Sequence, residues 1–165
     1  MILGVDIGVV GAVAFMTPDG TLVEIHDMPV LSDGPAPRRT INGPLLALII
    51  GRHAISHSYV ELVGPRPGEG AVGAFSFGRS RGIVEGVLAA AAIPVTMIAP
   101  ASWKRAVGIP AGREGAKDLA RSEAIRRWPA HAELFGRVRD DGRAEAALID
   151  IAGMTRARIV AERAA

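Results

Sequence analysis

Apolar residues along this chain fall into two kinds of pattern. Short runs rich in β-branched residues occupy 2–7 (ILGVDI), 11–17 (GAVAFMT), 21–28, 58–63 (SYVELV) and 94–99 (PVTMIA), and runs of that length bounded by Gly and Pro predict strands. Pro18-Asp19-Gly20 is turn chemistry, so the first three predict a meander. Leu45, Leu46, Leu48, Ile49 and Ile50 crowd together behind Asn42 and Pro44, which predicts a buried helix capped by Asn42. A longer helix is expected over 75–92, with Phe77, Ile83, Val84, Val87 and Leu88 inward. Pro100 opens a short helix (ASWKRAV) that Gly108 ends, and further helices are expected over 117–128 and from 141 into the tail. Residues 29–40 carry three Pro and no periodicity, so they predict an exposed loop. Residues 64–74 and 108–116 predict mobile Gly-rich loops, the second of them basic.

The resulting order, βββ-α-β-α-β-α, has no internal repeat and no linker, so residues 1–165 are expected to form one α/β domain. At 17.2 kDa, with 49% hydrophobic and 22% charged residues, the chain can bury a substantial core. No apolar run approaches the roughly 20 residues that cross a bilayer. MILGVDIG is too short and too soon interrupted by Asp6 to be a signal peptide, so a cytoplasmic location without membrane partners is expected. With no cysteine, disulfides, thiolate nucleophiles and Cys-based zinc sites are excluded.

Charge is unevenly placed. The net charge is +2, yet the pI is near 9.7, because 17 of the 19 basic residues are Arg. Residues 1–99 hold six Arg against eight acids, while residues 100–165 hold thirteen Lys and Arg against nine. A basic final third fits either a polyanionic partner or Arg-rich, solvated helices.

The acids narrow the chemistry. Asp6 interrupts an apolar strand, where a lone carboxylate is disfavoured unless it meets a cation or several donors, or else forms the turn into the next strand. Glu61 interrupts Tyr59-Val60-Glu61-Leu62-Val63 in the same way, unless it points to solvent from an edge. If the first and fourth strands lie side by side and parallel, the two acids meet near the strands' carboxyl ends, where open α/β sheets place ligands. A third cluster is Arg139-Asp140-Asp141-Gly142-Arg143-Ala144-Glu145. On a helix Asp141 and Glu145 share a face and repel, unless a cation or basic partner offsets them. Asp140 and Asp141 also suit a helix start on electrostatic grounds alone. Together Asp6, Glu61, Asp141 and Glu145 would offer all-oxygen ligation suited to Mg²⁺ or Mn²⁺. Two such ions about 4 Å apart support phosphodiester hydrolysis, so the set predicts a two-metal nuclease.

In these segments the chain resembles the RuvC-like Holliday junction resolvases of the RNase H-like superfamily, in their phage and bacterial branch. The matching pieces are ILGVDIGVVGAVAF, YVELV with its Gly-rich loop, FSFGRSRGIVEGVLAA, IAPASWKRAVG and RDDGRAEAALI, in the family's order across nearly the whole chain. The resemblance implies an RNase H-like fold with a central five-stranded mixed sheet, order 3-2-1-4-5, flanked by helices. It also implies a homodimer that nicks two like strands of a four-way DNA junction with divalent metal. Asp6, Glu61 and Glu145 match the family's acids. Some relatives place the fourth acid three residues before the Glu145 position, where this chain has Gly142; Asp141 is taken as the fourth ligand, with Asp140 as the alternative.

The resemblance further implies that Lys104 and Lys117, the chain's two lysines, hold phosphates. Arg105 is a candidate DNA contact, and Arg79 and Arg81, with Arg113, Arg121 and Arg143, are weaker candidates for contacts to the backbone. Phe75 is read either as a wedge into the junction or as apolar packing. Trp103 is read as a core anchor and Trp128 as a plug at a helix end. Gly78, Gly82 and Gly86 serve either helix-on-sheet packing or a dimer seam. The four histidines have no metal-ligand spacing. The rival readings are a nuclease for flaps or forks, a non-cleaving DNA-binding homologue, and an ATP-binding domain of the actin and sugar-kinase type. The last needs two such domains and leaves Glu61 unexplained.

Overall fold

The computed structural model describes all residues except 34–37, 65–67, 111–114 and 165. Strands β1 (Ile2–Asp6), β2 (Ala12–Met16) and β3 (Leu22–Asp27) form the antiparallel meander that Pro18-Asp19-Gly20 predicts. On the other side of β1 run β6 (His57–Glu61) and then β7 (Val95–Ile98), both parallel to it. The sheet order is therefore β3-β2-β1-β6-β7, the mixed arrangement expected for an RNase H-like fold.

Alternation along the strands divides the core in two. Leu3, Val5 and Ile7 with Val13, Phe15 and Val60 face helices α1 (Gly43–Ile50) and α2 (Ala71–Ala90). Ile2 with Ala12, Ala14, Met16 and Tyr59 faces helices α3 (Pro100–Ala106), α4 (Ala116–Arg127) and α5 (Asp141–Ala164). The period of two then places Asp6, in step with Ile2, and Glu61, in step with Tyr59, on the α5 side. Close approach of α5 to the sheet requires glycine, as Gly4 and Gly153 show. A Cβ on Gly4 would run into the Ala146 carbonyl oxygen, and one on Gly153 into the Tyr59 ring.

Several boundaries differ from expectation. Residues 29–40 are not simply a loop: β4 (Val30–Asp33) and β5 (Arg38–Ile41) pair antiparallel as a separate ribbon. Pro29 stands before the first strand, and Pro35 and Pro37 fall among the undescribed residues, so no proline interrupts the ladder. Helix α2 begins at Ala71, four residues earlier than expected, shortening the Gly-rich segment. Its inward face is as predicted at Val84 and Leu88, whereas Phe77, Ile83 and Val87 are half-buried. Between α4 and α5 lie two 3-10 turns, Pro129–Phe135 and Val138–Asp140. Asn42 caps α1 by accepting the Leu45 N–H at 3.1 Å. Trp128 plugs the end of α4, its indole donating to the Gly20 carbonyl at 3.1 Å.

One core residue has no counterpart in the sequence analysis. Asp150 on α5 is fully buried opposite Gly4, and neither carboxylate oxygen has a hydrogen-bond partner. Burial pushes its pKa well above the ordinary Asp range, against a smaller pull from the N-terminal ammonium. The folded chain keeps this proton where the unfolded chain has lost it, so stability falls as pH rises above the ordinary Asp pKa. Asp150→Asn removes that dependence. Melting scanned from pH 4 to 8 should show the natural chain losing about 1.4 kcal/mol per pH unit relative to the variant until the buried group ionises. Parallel curves would contradict this.

Candidate active site

The sequence dictates where the acids meet. β1 and β6 are adjacent and parallel, with Val5 opposite Val60, so Asp6 and Glu61 end neighbouring strands on the same face. Asp141 and Glu145 occupy the first turns of α5, which lies across that face. Their convergence is electrostatic as well as topological. Burial pushes the Asp6 pKa well up, and Glu145, Glu61 and Asp141, in that order, push it further. Glu145 is also raised, by burial first and then by Glu61 and Asp141, against the pull of Lys104 and Lys117.

Two lysines offset this concentration of charge. Lys104 on α3 lies 3.9 Å from Glu145 Oε1. Lys117, in the first turn of α4, is hydrogen-bonded to Asp141, and that bond is the main reason its pKa rises. The cleft, about 850 Å³, is lined by Glu61, Asp141, Glu145 and both lysines, with Leu62, Phe77 and Val138 on its walls. Glu61 is oriented from below: the buried indole of Trp103 donates to its Oε1 at 2.8 Å. Among the described residues, no three Asp, Glu or His side chains are already closed into a cage for a metal ion. The donor set nevertheless fits a hard divalent cation by its chemistry, since it is all carboxylate and Asp6 is buried among like charges.

The alternatives at the start of α5 separate cleanly. Asp140 is buried and turned away from the cleft. It accepts the Arg137 backbone N–H at 2.8 Å and the Arg137 guanidinium at 2.8–3.1 Å. Burial works to raise its pKa, but the Arg137 hydrogen bonds outweigh this and hold it below the ordinary value. Asp141 is the residue of the pair that faces the other acids. At Gly142 a Cβ would collide with the Val10 carbonyl and the Gly11 backbone, so no acid can stand there without moving the β1–β2 turn.

The remaining candidates are scattered. Arg105 and Arg79 are exposed on α3 and α2. Arg81 is tied to Glu85 at 2.7 Å and to the Val63 carbonyl at 3.0 Å, bracing the chain just after Glu61. Arg143 holds Asp27 through two bonds of 2.5 and 2.8 Å, and Arg121 pairs with Asp118, so both are engaged within the fold. Arg113 lies outside the described residues. Phe75 is 75% exposed on α2, which removes the reading that it packs in the core. Sequence reasoning missed the Trp103–Glu61 bond and the cleft position of Val138. Neither left a signal in the sequence: the first joins residues 42 apart, and an exposed valine gives none.

Because burial and like charge raise Asp6, its ionisation works against folding at neutral pH, and the penalty fades as pH falls toward the ordinary Asp pKa. Asp6→Asn should therefore stabilise the chain in EDTA at pH 7–8 by about 0.5–2 kcal/mol, a gain that shrinks toward pH 4. Thermal melting measures it. Loss of folding would mean that Asp6 is needed for the turn into β2.

No protein-family model and no curated relative matches the sequence. Solved structures do. A structure of Thermus thermophilus RuvC in complex with a Holliday junction substrate is 16% identical, with 96% of this chain and 94% of that one aligned at a TM-score of 0.65. A second structure of Thermus thermophilus RuvC is also 16% identical, with 96% and 95% covered and a TM-score of 0.54. Over almost its entire length the chain has the RNase H-like fold of RuvC.

Proposed function

We propose that the chain is a structure-selective endonuclease that resolves four-way DNA junctions by paired, divalent-metal-dependent phosphodiester hydrolysis. The observation that carries this reading is the meeting of Glu61, Asp141 and Glu145 in a cleft that also holds Lys104 and Lys117, with Asp6 buried close enough to feel all three acids. Further support comes from the Thermus thermophilus neighbour, whose structure contains a Holliday junction substrate.

In this reading the four carboxylates hold Mg²⁺ or Mn²⁺, two ions per site. Such a cation, when bound, makes water nucleophilic near neutral pH and stabilises the departing oxygen at phosphorus. The chain's own residues do the remaining work. Asp6 and Glu61, fixed on adjacent strands, set the floor of the site, while Asp141 and Glu145 close it from α5. Lys104 and Lys117 supply compact positive charge for the phosphates on either side of the cut. Arg105 and Arg79 extend that charge along the backbone, where contacts position the DNA without reading its sequence. Phe75 stands exposed on α2 as an apolar wedge for the open centre of a junction.

Incubation with a synthetic four-way junction, a linear duplex and a flap, with Mg²⁺ or EDTA, tests the reading. Metal-supported paired nicks on the junction are expected, and their absence sinks it. Cutting of the flap with an intact junction would instead favour a nuclease for other branched DNA. Asp6→Asn, Glu61→Gln, Asp141→Asn and Glu145→Gln should each lower cutting at least about 100-fold while junction binding, followed by gel shift, changes little.

Paired cuts need two sites and each chain carries one, so the reading includes a homodimer. Outside their own helix, Gly78, Gly82 and Gly86 have no described atom within 4 Å of where a Cβ would stand, which supports the seam over internal packing as their role. Gly82 and Gly86 line an apolar depression of about 590 Å³ with Pro44 and Ala47 of α1. Leu48 is exposed on the same helix. Gly82→Arg should yield a monomer by light scattering and uncouple the two nicks. It should also leave melting unchanged or raise it by about 0.5–1 kcal/mol, since glycine is unfavourable inside a helix. A dimer that persists would place the seam elsewhere.

A further inference from the structure

Trp103 and Trp128 are the chain's two tryptophans, and both indoles are buried. A buried indole N–H needs an acceptor, and Trp128 takes a backbone carbonyl, that of Gly20. Trp103 takes a carboxylate, Glu61 Oε1, at 2.8 Å. The other side of the same residue meets the opposite half of the site. Lys104 Nζ lies 5.1 Å from the centre of the Trp103 ring, within cation–π range, and 3.9 Å from Glu145 Oε1. Glu61 on β6 and Glu145 on α5 are thus linked through two consecutive side chains on α3, Trp103 and the Lys104 that lies against its ring.

We propose that Trp103 is a positioning residue for cation binding: its N–H fixes the plane of the Glu61 carboxylate while its ring face fixes the ammonium beside Glu145. The inference rests on the cation-dependent reading above. Its physical basis is that an indole N–H is a donor only and carries no charge. It orients Glu61 without neutralising it, so the carboxylate keeps its full negative charge for a divalent cation. A lysine or arginine at that place would orient Glu61 and compete with the cation. Partners of this kind around metal ligands typically matter by about 10–100-fold in affinity.

Trp103→Phe keeps the buried ring and deletes the N–H. Calorimetric titration of the full chain with Mg²⁺ should give a dissociation constant at least about tenfold weaker for the variant, with circular dichroism unchanged and kcat lowered more than KM for DNA. In the natural chain the Trp103 indole ¹H–¹⁵N signal, assigned with Trp128→Phe, should move on Mg²⁺ addition while the Trp128 signal stays in place. A folded Trp103→Phe chain with unaltered Mg²⁺ affinity would overturn the proposal. If that variant does not fold, a Trp103 signal unmoved at Mg²⁺ saturation of the natural chain would overturn it equally. A natural chain that binds no Mg²⁺ removes the nuclease reading, and the role of Trp103 with it.

Discussion

The structure is organised around one unfavourable interaction, the crowding of carboxylates at the end of β1. Asp6 is buried, and each of the other three acids raises its pKa further. A fold keeps such an arrangement only if the surrounding backbone enforces it. Here the enforcement is steric: Gly4 and Gly142 let α5 lie directly on the backbone of β1 and of the β1–β2 turn. Any side chain at either position would lift the helix, and Asp141 and Glu145 would move off Asp6. Arg143 adds a lateral restraint, joining the first turns of α5 to Asp27 at the end of β3.

The compensation for that crowding comes from elements that have no part in building the sheet. Lys104 arrives on α3 and Lys117 on α4, each opposite a different acid of α5. A long, flexible ammonium suits this role better than a guanidinium, because a compact point charge can offset a carboxylate without a fixed planar geometry. The same lysines that relieve repulsion within the protein line the cleft beside the acids they offset. The near-neutral net charge of a chain with a basic final third reflects this juxtaposition.

Much of this was legible in the residues, for identifiable reasons. Strand parity places Asp6 and Glu61 on one face as soon as β1 and β6 are taken as parallel neighbours, and the spacing of Asp141 and Glu145 gives a shared helix face. What could not be read was long-range. The β4–β5 ribbon carries no alternation, and of its residues Ile41, paired with Val30, joins the core. Asp140 and Asp141 are alike in sequence; only the engagement of Asp140 by Arg137 separates them. The bond from Trp103 to Glu61 spans 42 residues, a distance over which no local pattern carries information.

Asp150 shows why burial alone does not identify a site. It sits on the same helix as Glu145 and against the same strand as Asp6, and burial raises its pKa as it does theirs. The difference lies in the company. Asp6 and Glu145 both feel neighbouring acids, and Lys117 acts on both while Lys104 acts on Glu145. Asp150 feels the N-terminal ammonium and Tyr59, and its oxygens have no hydrogen-bond partner. A proton there is a cost carried by the core, whereas the raised acids at the end of β1 and in the first turns of α5 stand among other charged groups. Clustering and access separate the two cases, and both follow from where α5 begins: its first two turns reach past the end of β1, and Asp150 lies behind them.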